Sequence, residues 1–525
     1  MPLLSFMPGR RFNFYSLFFA VAALFFGVQA FHAQTEKRPA FASDEILVKF
    51  AHPVENEAVR QLNRRSGANV AETLGDIGWA RLKLKPGTSV EDSVRTYSRS
   101  VHVVAAQPNF YYYPQLIPND PLFSHSGLYG LTKISAPAAW DLTTGSSSVV
   151  VANIDTGMRL THEDLAANIW VNPGEIPGNG VDDDGNGFVD DVNGWDFFFD
   201  DNDPSDEHGH GTHVGGTIGA VGNNAIGIVG VNWNLKIIPI KIYNSTGTGT
   251  TSAMLINAYN YVRLLKLRGV NIRVTNNSYG GCDEACGYDQ ATKEAIDAMG
   301  DADILNVFAA GNSGTNNDGI PFFPASYDSA SILAVGGSDQ DDNRRYNYGA
   351  NSVDLAAPGS LIYSTVHTTN SSYGTKSGTS MSTPHVAGAA ALLAAFDPSL
   401  SALSLKATLM KTVDQFPAFT GFNRAGGRLN VSRALNEPVV CTFEPSSTEI
   451  VAPTKGGWFE ISVSAPQFCD YSVRSGANWV HIASESTGSG KSTVKFRVGV
   501  NRTISRSAVV KIGSGTFTVA QRRGK

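Results

Sequence analysis

The chain has 525 residues, a length that allows about three or four domains at roughly 150 residues each. Hydrophobic residues make up 42% of the sequence and charged residues 17%, a globular composition that argues against disorder for most of the chain. The formal net charge of -6 provides no basic field to attract nucleic acid or anionic lipid, so nucleic acid is a remote option as a partner.

The first residues have the layout of a secretory signal. Arg10 and Arg11 precede the apolar run 17–28, and small residues follow as far as Ala33. That run is too short to span ~30 Å of hydrocarbon at 1.5 Å per residue. We therefore expect residues 1–33 to be a signal peptide and the mature chain to be secreted, extracellular or periplasmic, without a membrane anchor.

Residues 34–113 alternate short strands and helices. The predicted order of strand, helix, strand, helix and strand is a split β-α-β arrangement, typical of small α+β domains. The predicted strands cover residues 46–50, 80–84 and 101–113, and the predicted helices cover residues 55–65 and 89–97. A polar link with Pro114, Pro118 and Pro121 follows, which we interpret as an exposed connector and a candidate processing site.

Residues 114–437 have the pattern of an α/β domain. Runs of β-branched residues are separated in several places by stretches with helical spacing, such as that of Leu255, Ala258 and Val262. Strands that are apolar throughout and alternate with helices predict a parallel sheet covered on both faces. Ligands of such sheets bind at the carboxyl ends of the strands. The predicted strands are residues 149–154, 235–243, 270–276, 304–309 and 332–335.

Residues 438–525 have a different residue pattern. Short segments of alternating apolar and polar residues are separated by Gly, Ser and Asn, and residues 513–515 are typical of a hairpin turn. This pattern predicts a small antiparallel β-sandwich. Its predicted strands are residues 459–463, 471–473, 494–500, 508–512 and 516–520.

Three segments of the central domain carry groups suited to hydrolysis. Asp155 directly follows the first predicted strand, and Ser380 lies at the start of a helix of small residues. His208, His210 and His213 crowd near another helix start. Amide hydrolysis needs a nucleophile, a base, a carboxylate that orients the base, and donors for the oxyanion. Ser380, His210 and Asp155 suit the first three roles, although the histidines by themselves leave a metal site open.

In the order Asp, His, Ser, these segments resemble the subtilisin-like serine proteases, the subtilase family S8, over residues 118–435. The resemblance implies a doubly wound parallel sheet and a serine endopeptidase that works through an acyl-enzyme. It identifies His210 as the base, because that histidine directly precedes Gly-Thr-His. It also identifies Asn312 as an oxyanion donor beside the Ser380 backbone N–H, where the residues alone would favour a turn role for Asn312.

The resemblance also implies a cleft for an extended peptide. Peptides that add as a strand between two backbone walls are recognised mainly through the main chain, so we expect broad protein and peptide substrates. Phe322 stands where many relatives carry a smaller residue, and the specificity pocket is expected to be partly filled. The residues implied for substrate binding are Ser278, Tyr279 and Gly280 on one wall, Gly247, Thr248 and Gly249 on the other, and Ala310 and Gly311 before the oxyanion donor.

A further pattern predicts structural calcium, Ca2+. Oxygen-bearing residues alternate around the Gly187 turn, as they do in loops that bind hard cations. Asn193 occupies the twelfth position, where an EF-hand has glutamate, so this is not an EF-hand of the usual kind. The alternative is a solvated acidic turn. Asp164 and Asn224 match a second calcium position of the family. The predicted ligands of the loop are Asp182, Asp184, Asn186, Phe188, Asp190 and Asp191.

The N-terminal segment resembles the inhibitory prodomain of the same family, which assists folding and blocks the cleft. The resemblance implies a ferredoxin-like α+β fold in which residues 103–109 form the closing strand. It also implies that the prodomain is an intramolecular inhibitor, removed by self-cleavage between about residues 113 and 120. We therefore expect the chain to be made as a zymogen.

The C-terminal segment contains Cys441, Gly456, Gly457, Cys469, Trp479, Asn501 and Arg506, followed by residues 517–521. With these residues it resembles the BACON-type β-sandwich of secreted bacterial proteins. This resemblance implies a carbohydrate or surface ligand, although we interpret Trp479 as core packing because it lies in an alternating strand. Cys441 with Cys469 could bridge the sandwich, and Cys282 with Cys286 could close a small loop. Free thiols are the alternative.

Two other functions compete with proteolysis. The first is a catalytically inactive subtilase-fold protein that acts in adhesion through its C-terminal domain; a complete set of Asp155, His210, Ser380 and Asn312 argues against it. The second is a metallohydrolase built on the histidine cluster, which lacks a nearby carboxylate to complete a three-ligand zinc site. Titration with a chelator and with a covalent serine reagent separates these functions.

Overall fold

The computed structural model describes residues 41–112, 116–281, 288–484 and 487–523. The predicted signal peptide and the proposed bridge between Cys282 and Cys286 lie outside the described residues. Within these ranges, no helix combines the length and the apolar composition needed to cross a membrane.

The N-terminal region is an α+β unit with its own apolar core. Its elements are β1 (Phe41–Phe50), α1 (Glu57–Ser66), β2 (Ala68–Leu74), β3 (Trp79–Leu84), α2 (Val90–Ser98) and β4 (Val103–Phe110). The strands form an antiparallel sheet in the order β2-β3-β1-β4, which is the expected ferredoxin-like arrangement. The sequence prediction missed β2, because this edge strand is mostly exposed and lacks an apolar alternation.

The helices of this region begin where polar side chains satisfy backbone donors. The side chain of Asn56 accepts from the Ala58 N–H before α1, and that of Ser89 accepts from the Asp92 N–H before α2. Tyr97 of α2 is fully buried beneath the sheet.

The central region contains most of the chain. Its helices are α3 (Tyr129–Lys133), α4 (Ala136–Trp140), α5 (His210–Gly219), α6 (Ser252–Leu267), α7 (Gln290–Asp301), α8 (Thr379–Phe396), α9 (Ala402–Lys411) and α10 (Val431–Asn436). Its strands are β5 (Gly145–Asp155), β6 (Trp195–Asp196), β7 (Asn234–Lys241), β8 (Ile272–Asn277), β9 (Leu305–Ala309), β10 (Ile332–Ser338), β11 (Leu355–Pro358), β12 (Ile362–Thr365), β13 (Tyr373–Lys376), β14 (Asp414–Gln415) and β15 (Gly427–Arg428).

Nine of these strands form one sheet in the order β14-β15-β11-β10-β9-β8-β5-β7-β6. All neighbouring pairs are parallel except β14 and β15. The doubly wound parallel sheet predicted from the sequence is therefore confirmed. The short strands β6, β11, β14 and β15 were not predicted, because two to four residues carry too little periodicity to be recognised.

Apolar cores cover both faces of this sheet. Val149 and Val151 of β5 belong to the core that includes α8, while Val150 and Ala152 belong to the core that includes α6 and α7. Helix α8 is buried almost all round, and Pro384 lies near its start. The sheet is therefore covered on both faces, and α5 and α8 pack together on one of them.

The C-terminal region is an all-β sandwich. Its strands are β16 (Glu444–Pro445), β17 (Glu449–Ala452), β18 (Gly457–Ser464), β19 (Asp470–Ser475), β20 (Val480–Ile482), β21 (Thr487–Ser489), β22 (Ser492–Val498), β23 (Arg506–Ile512) and β24 (Gly515–Gln521). They form sheets of four and five strands, in the orders β16-β18-β22-β20 and β17-β24-β23-β19-β21.

The predicted antiparallel sandwich is confirmed, with one parallel pair, β17 and β24, that was not predicted. The predicted bridge between Cys441 and Cys469 is confirmed. Trp479 is partly buried against the sandwich core, and the Arg506 guanidinium lies 4.3 Å from its ring centroid.

A buried ion-pair cluster joins the sandwich to the central region. It consists of Asp354, Lys406 and Arg424 of the central region and Asp470 of β19. Lys406 Nζ lies 2.6 Å from Asp470 Oδ2, and Arg424 donates to both Asp470 carboxylate oxygens at 3.0 Å. Arg424 also contacts Asp354 Oδ1 at 2.6 Å. Leu403 and Ala407 of α9 pack into the sandwich core beside this cluster, so apolar and ionic contacts together bind the two regions.

Candidate active site

Asp155 ends β5 at the carboxyl edge of the central sheet. The Thr156 N–H donates to Asp155 Oδ1 at 2.8 Å, and the aspartate is 1% exposed. The buried strand and this backbone donor therefore hold the carboxylate in one orientation, away from water.

His210 is the first residue of α5 and faces that carboxylate. Its Nδ1 lies 2.7 Å from Asp155 Oδ1. Burial by itself lowers the pKa of His210, but the charge and the hydrogen bond of Asp155 outweigh the burial, so the pKa is raised. A carboxylate that engages Nδ1 leaves Nε2 as the nitrogen that can accept a proton from a nucleophile.

Asp206 holds the start of α5 in place, a role that the sequence prediction missed. Its Oδ1 accepts from the N–H groups of His208 and Gly209, at 2.9 and 2.8 Å, and its Oδ2 accepts from the Thr212 N–H at 2.9 Å. An aspartate a few residues before a predicted helix start is a capping signal that could have identified it.

The other two histidines of the cluster point to separate partners. His213 is fully buried, its Nε2 lies 3.0 Å from the Ile362 carbonyl, and burial lowers its pKa to about 3. His208 lies beside Gly247, where an added Cβ would lie 3.1 Å from its Nε2. Within the described ranges, the group of side chains that could hold a metal ion consists of Glu175, Asp184 and Asp191 and includes no histidine.

Ser380 is the second residue of α8, where the first backbone N–H groups of the helix have no partner within it. Its Oγ donates to the Ser278 carbonyl at 3.0 Å, and the Ser278 Oγ donates to the Ser380 carbonyl at 3.0 Å. Val214 of α5 and Met381 of α8 share a small apolar cluster, which brings the starts of the two helices side by side. In the described structure, Ser380 Oγ bonds to Ser278 and not to His210.

Asn312 follows β9 and contacts the residue before Ser380. Its Oδ1 accepts from the backbone N–H of Thr379 at 2.8 Å and from Thr379 Oγ1 at 3.0 Å. The side chain is exposed, and its Nδ2 has no hydrogen-bond acceptor among the described residues. The amide is thus fixed at its oxygen and presents its N–H groups beside the start of α8.

The residues predicted to bind substrate lie on two sides of this site. Ser278 directly follows β8, and Gly280 continues from it with a φ of 155°. On the other side, the Asn244 side chain accepts from the Thr248 N–H and closes the turn that contains Gly247, and Gly249 directly follows that turn. Both walls are backbone at the carboxyl edge of the sheet.

The ring of Phe322 lies between the two glycine-containing segments that follow β8 and β9. A Cβ added at Gly280, Gly281 or Gly311 would meet this ring at 2.5, 2.3 and 2.9 Å. The Gly281 N–H donates to the Phe323 carbonyl at 2.8 Å, which ties the Phe322 loop to the wall beside Ser278. The aromatic ring therefore occupies the space between the two strand ends.

Glu175, Asp184 and Asp191 form a carboxylate cluster that could hold a metal ion, with ligand oxygens within 4.8 Å of one another. Asp191 is fully buried, and burial raises its pKa to about 6 despite a 2.6 Å hydrogen bond from Tyr261. Glu175 Oε2 is buried without a partner in the described residues. A cation fits this excess of acceptors. Glu175 was missed because it lies outside the alternating loop pattern.

The other predicted loop ligands have different contacts. Asp182 accepts from the N–H groups of the turn that contains Gly187, and Asp190 accepts from the N–H groups of Gly178 and Gly180. Asn186 donates to Asp184 and Asp191 at the edge of the carboxylate cluster. The ring of Phe188 packs against Tyr261, so this residue offers only its backbone carbonyl.

The predicted second metal position brings together Asp164, Asn224 and the unanticipated Asp120. Asn224 Nδ2 donates to Asp164 Oδ1 at 2.9 Å, and Asp120 accepts from the Asn223 and Asn224 N–H groups. Burial raises the pKa of Asp164 to about 6. Asp120 lies in the proline-containing link, where the sequence carries no ligand signal.

Two family models match parts of this chain. The model of the subtilase family matches residues 146–434, and the model of the fervidolysin N-terminal prodomain matches residues 28–109. Thermitase of Thermoactinomyces vulgaris is 38% identical over 320 residues, which cover 61% of this chain and 99% of thermitase.

Two further relatives extend the comparison. A thermophilic serine proteinase of Bacillus sp. (strain AK1) is 31% identical over 403 residues, covering 76% of this chain and 89% of that protein. A solved protease structure from Pseudoalteromonas arctica is 29% identical, with a TM-score of 0.49, and covers 61% of this chain and 98% of its own.

Proposed function

The chain belongs to the subtilase family and is a serine endopeptidase with an N-terminal prodomain, and from that premise we propose that Asp155, His210 and Ser380 carry its reaction. The observation that supports this proposal most is the 2.7 Å contact between His210 Nδ1 and Asp155 Oδ1, beside the helix start that presents Ser380.

In the proposed reaction, Ser380 Oγ turns from the Ser278 carbonyl to His210 Nε2 and attacks the scissile carbonyl. His210 takes the serine proton, and the adjacent Asp155 carboxylate stabilises the imidazolium that forms. The Ser380 N–H and Asn312 Nδ2 donate to the oxyanion. His210 then gives its proton to the leaving amine, and water hydrolyses the acyl-enzyme by the same steps.

The proposed substrates are extended protein segments that pair with the backbone of residues 278–280 and 247–249. Phe322 occupies the space between the two strand ends beside Ser380, so we propose that it limits the substrate side chain preceding the cut to small residues. A large aromatic side chain would have to displace the ring.

We propose that residues 1–33 direct secretion and that residues 34–113 form the inhibitory part of a zymogen. Strand β4 is the closing segment of the prodomain sheet, and cleavage between about residues 113 and 120 would separate that sheet from the central region of residues 114–437. If Ser380→Ala kept the wild-type mature N-terminus, another protease would perform this cleavage.

We also propose that the carboxylate cluster holds a structural calcium ion, with a second ion at Asp120, Asp164 and Asn224. Carboxylate and amide oxygens are the ligands that calcium prefers. The ion would neutralise buried carboxylates and stabilise the surrounding loops. Carbohydrate binding by the C-terminal residues 438–525 stays a prediction.

The proposed function is tested with the full chain and two serine variants. Ser380→Ala should lose hydrolysis of a denatured-protein substrate by at least about 1000-fold and should lose labelling by a fluorophosphonate. The exposed Ser371→Ala is the matched control and should behave as wild type. Retained hydrolysis in Ser380→Ala would refute the assignment of the nucleophile.

A further inference from the structure

Two asparagines interrupt an apolar face of the central sheet beneath the active site. On the face of β5 that α8 covers, Val149 and Val151 are followed by Asn153, and on β8 Val274 is followed by Asn276. Asn153 and Asn276 are paired residues in the parallel register of these strands, and both are fully buried. Buried amides at positions otherwise taken by valine require a specific set of partners.

The first partner connects this pair to the histidine. Asn153 Nδ2 donates to the Gly211 carbonyl at 3.1 Å, and Gly211 directly follows His210 in the first turn of α5. Asn153 also lies two residues before Asp155 on the same strand. One buried side chain thus contacts the segment of the proposed base while sharing a strand with the proposed carboxylate.

The remaining partners connect the pair to the serine. Asn276 Nδ2 donates to Asn153 Oδ1 and to Ser278 Oγ, both at 3.1 Å. Ser278 Oγ then donates to the Ser380 carbonyl at 3.0 Å. A continuous chain of hydrogen bonds therefore runs under the site, from the first turn of α5, through two strands, to the first turn of α8.

We propose that Asn153 and Asn276 are positioning residues that set the relative placement of the two helix starts, and thereby of His210 and Ser380. This inference rests on the proposed function. Hydrophobic packing fixes the helices only in a general way, since apolar contacts have no direction, whereas hydrogen bonds in a buried site fix particular atoms. A misplacement of about 1 Å can cost about 100-fold in rate, so this placement matters to turnover.

The test compares Asn153→Leu with Asn306→Leu in the full chain. Asn306 is an equally buried asparagine on β9, and it bonds to Ser331 and Thr275 away from the two helix starts. The concentration of active sites is titrated with a fluorophosphonate, and kcat is calculated from that concentration. A variant that contains less folded protein therefore does not show a falsely low kcat.

We expect Asn153→Leu to lower kcat about ten- to hundredfold and to leave KM within about threefold. Asn306→Leu should lower the melting temperature and leave kcat unchanged. The double variant Asn153→Leu/Asn276→Leu removes both amides, which avoids leaving one of them unpaired. If the single variant does not fold, this double variant should fold and show the same loss of kcat.

The acid limb of the kcat/KM profile is the second readout. Because contact with Asp155 raises the pKa of His210, a loosened contact in Asn153→Leu should move the acid limb to lower pH. The titratable and charged groups around His210 include Asp155, Asp206, Lys376, His208 and His213, and His367 lies against the adjacent Gly209. The substitutions change none of them. A purely structural role would leave this limb in place.

Wild-type kcat per titrated site and an unshifted acid limb, in the Asn153→Leu variant or in the double variant, would overturn the inference. Ser380→Ala separates this outcome from failure of the proposed function. If Ser380→Ala is inactive and Asn153→Leu is normal, only the positioning role is wrong.

Discussion

The ion-pair cluster and the carboxylate cluster both contain buried acidic side chains, but the two clusters differ in the partners of those carboxylates. In the ion-pair cluster, Asp470 meets the two cations Lys406 and Arg424. In the carboxylate cluster, fully buried Asp191 meets the Tyr261 hydroxyl and asparagine amides. Its neighbour Asp184 is approached by the partly exposed Arg268 at 3.4 Å.

The pKa shifts record this difference. Burial by itself raises the pKa of Asp470, but Lys406 and Arg424 outweigh it, and the pKa lies well below its usual range. Burial raises the pKa of Asp191 to about 6, because neutral donors do not compensate for lost hydration. The first cluster contains its own cations, whereas the second is a group of carboxylates that could hold a metal ion.

The largest expected effect comes from breaking the ion-pair cluster. Asp470→Asn leaves the buried Lys406 and the partly buried Arg424 with only Asp354 as a carboxylate partner. We expect it to lower the free energy of unfolding by about 3–5 kcal/mol, as measured by urea denaturation of Ser380→Ala protein to prevent self-digestion. A change below about 1 kcal/mol would show that the cluster does not hold the sandwich to the central region.

Removal of metal should have the next largest effect. A chelator should lower the free energy of unfolding by about 3–4 kcal/mol relative to protein with calcium at 100 to 1000 times its Kd. Asp191→Asn should reduce this calcium-dependent difference to the part that the second proposed ion, at Asp120, Asp164 and Asn224, contributes. Asp183→Asn is the matched control, because Asp183 lies exposed in the same loop and bonds to the Ile176 N–H and to Asn179. An equal calcium response in Asp191→Asn would contradict the proposed site.

The pH dependence of the ion-pair cluster sharpens the comparison further. The folded pKa of Asp470 is depressed, so its contribution is present above its unfolded pKa of about 3.9 and is lost as the pH falls toward the folded value. Below pH 4, the free energy of unfolding of the wild type should fall by up to about 1.4 kcal/mol more per pH unit than that of Asp470→Asn. Parallel acid denaturation curves for the two proteins would contradict this assignment.

The smallest effect is expected from an exposed ion pair at the same junction. Arg474 of β19 contacts Asp301 of α7, and both side chains are about half exposed. Arg474→Ala should change the free energy of unfolding by less than about 1 kcal/mol, because solvent and salt screen such pairs. A loss comparable to that of Asp470→Asn would mean that burial is not what distinguishes the two contacts.

The local sequence pattern was sufficient to predict the long strands and helices of the fold. Strand β5 contains the apolar run 149–152, and β8 contains Ile272, Val274 and Thr275, so their type could be predicted from the sequence. Edge strand β2 and the short strands β11 and β15 exist because neighbouring strands offer hydrogen bonds to them. The residues of β2, β11 and β15 therefore do not by themselves predict a strand, because the hydrogen bonds that form it depend on the partner strand.

The residues of the candidate site also fall into those that the sequence could predict and those that it could not. Asp155, His210 and Ser380 each lie in a local motif at a strand end or a helix start, so they could be proposed from the sequence. Glu175 and Asp120 lie in irregular segments and become candidate ligands only where folding brings them to other carboxylates.

The sequence by itself determined the chemistry available to this protein, because strand runs, helix starts and their flanking polar residues are properties of neighbours along the chain. Only the tertiary structure decided which of these groups meet. Asn153 looks like an ordinary strand residue until its amide is seen against Gly211 and Asn276, and Asp470 looks like a surface carboxylate until Lys406 and Arg424 enclose it. Hydrogen bonds and charge pairs act through distances of a few ångströms in space, and that proximity is created by packing between segments far apart in the chain.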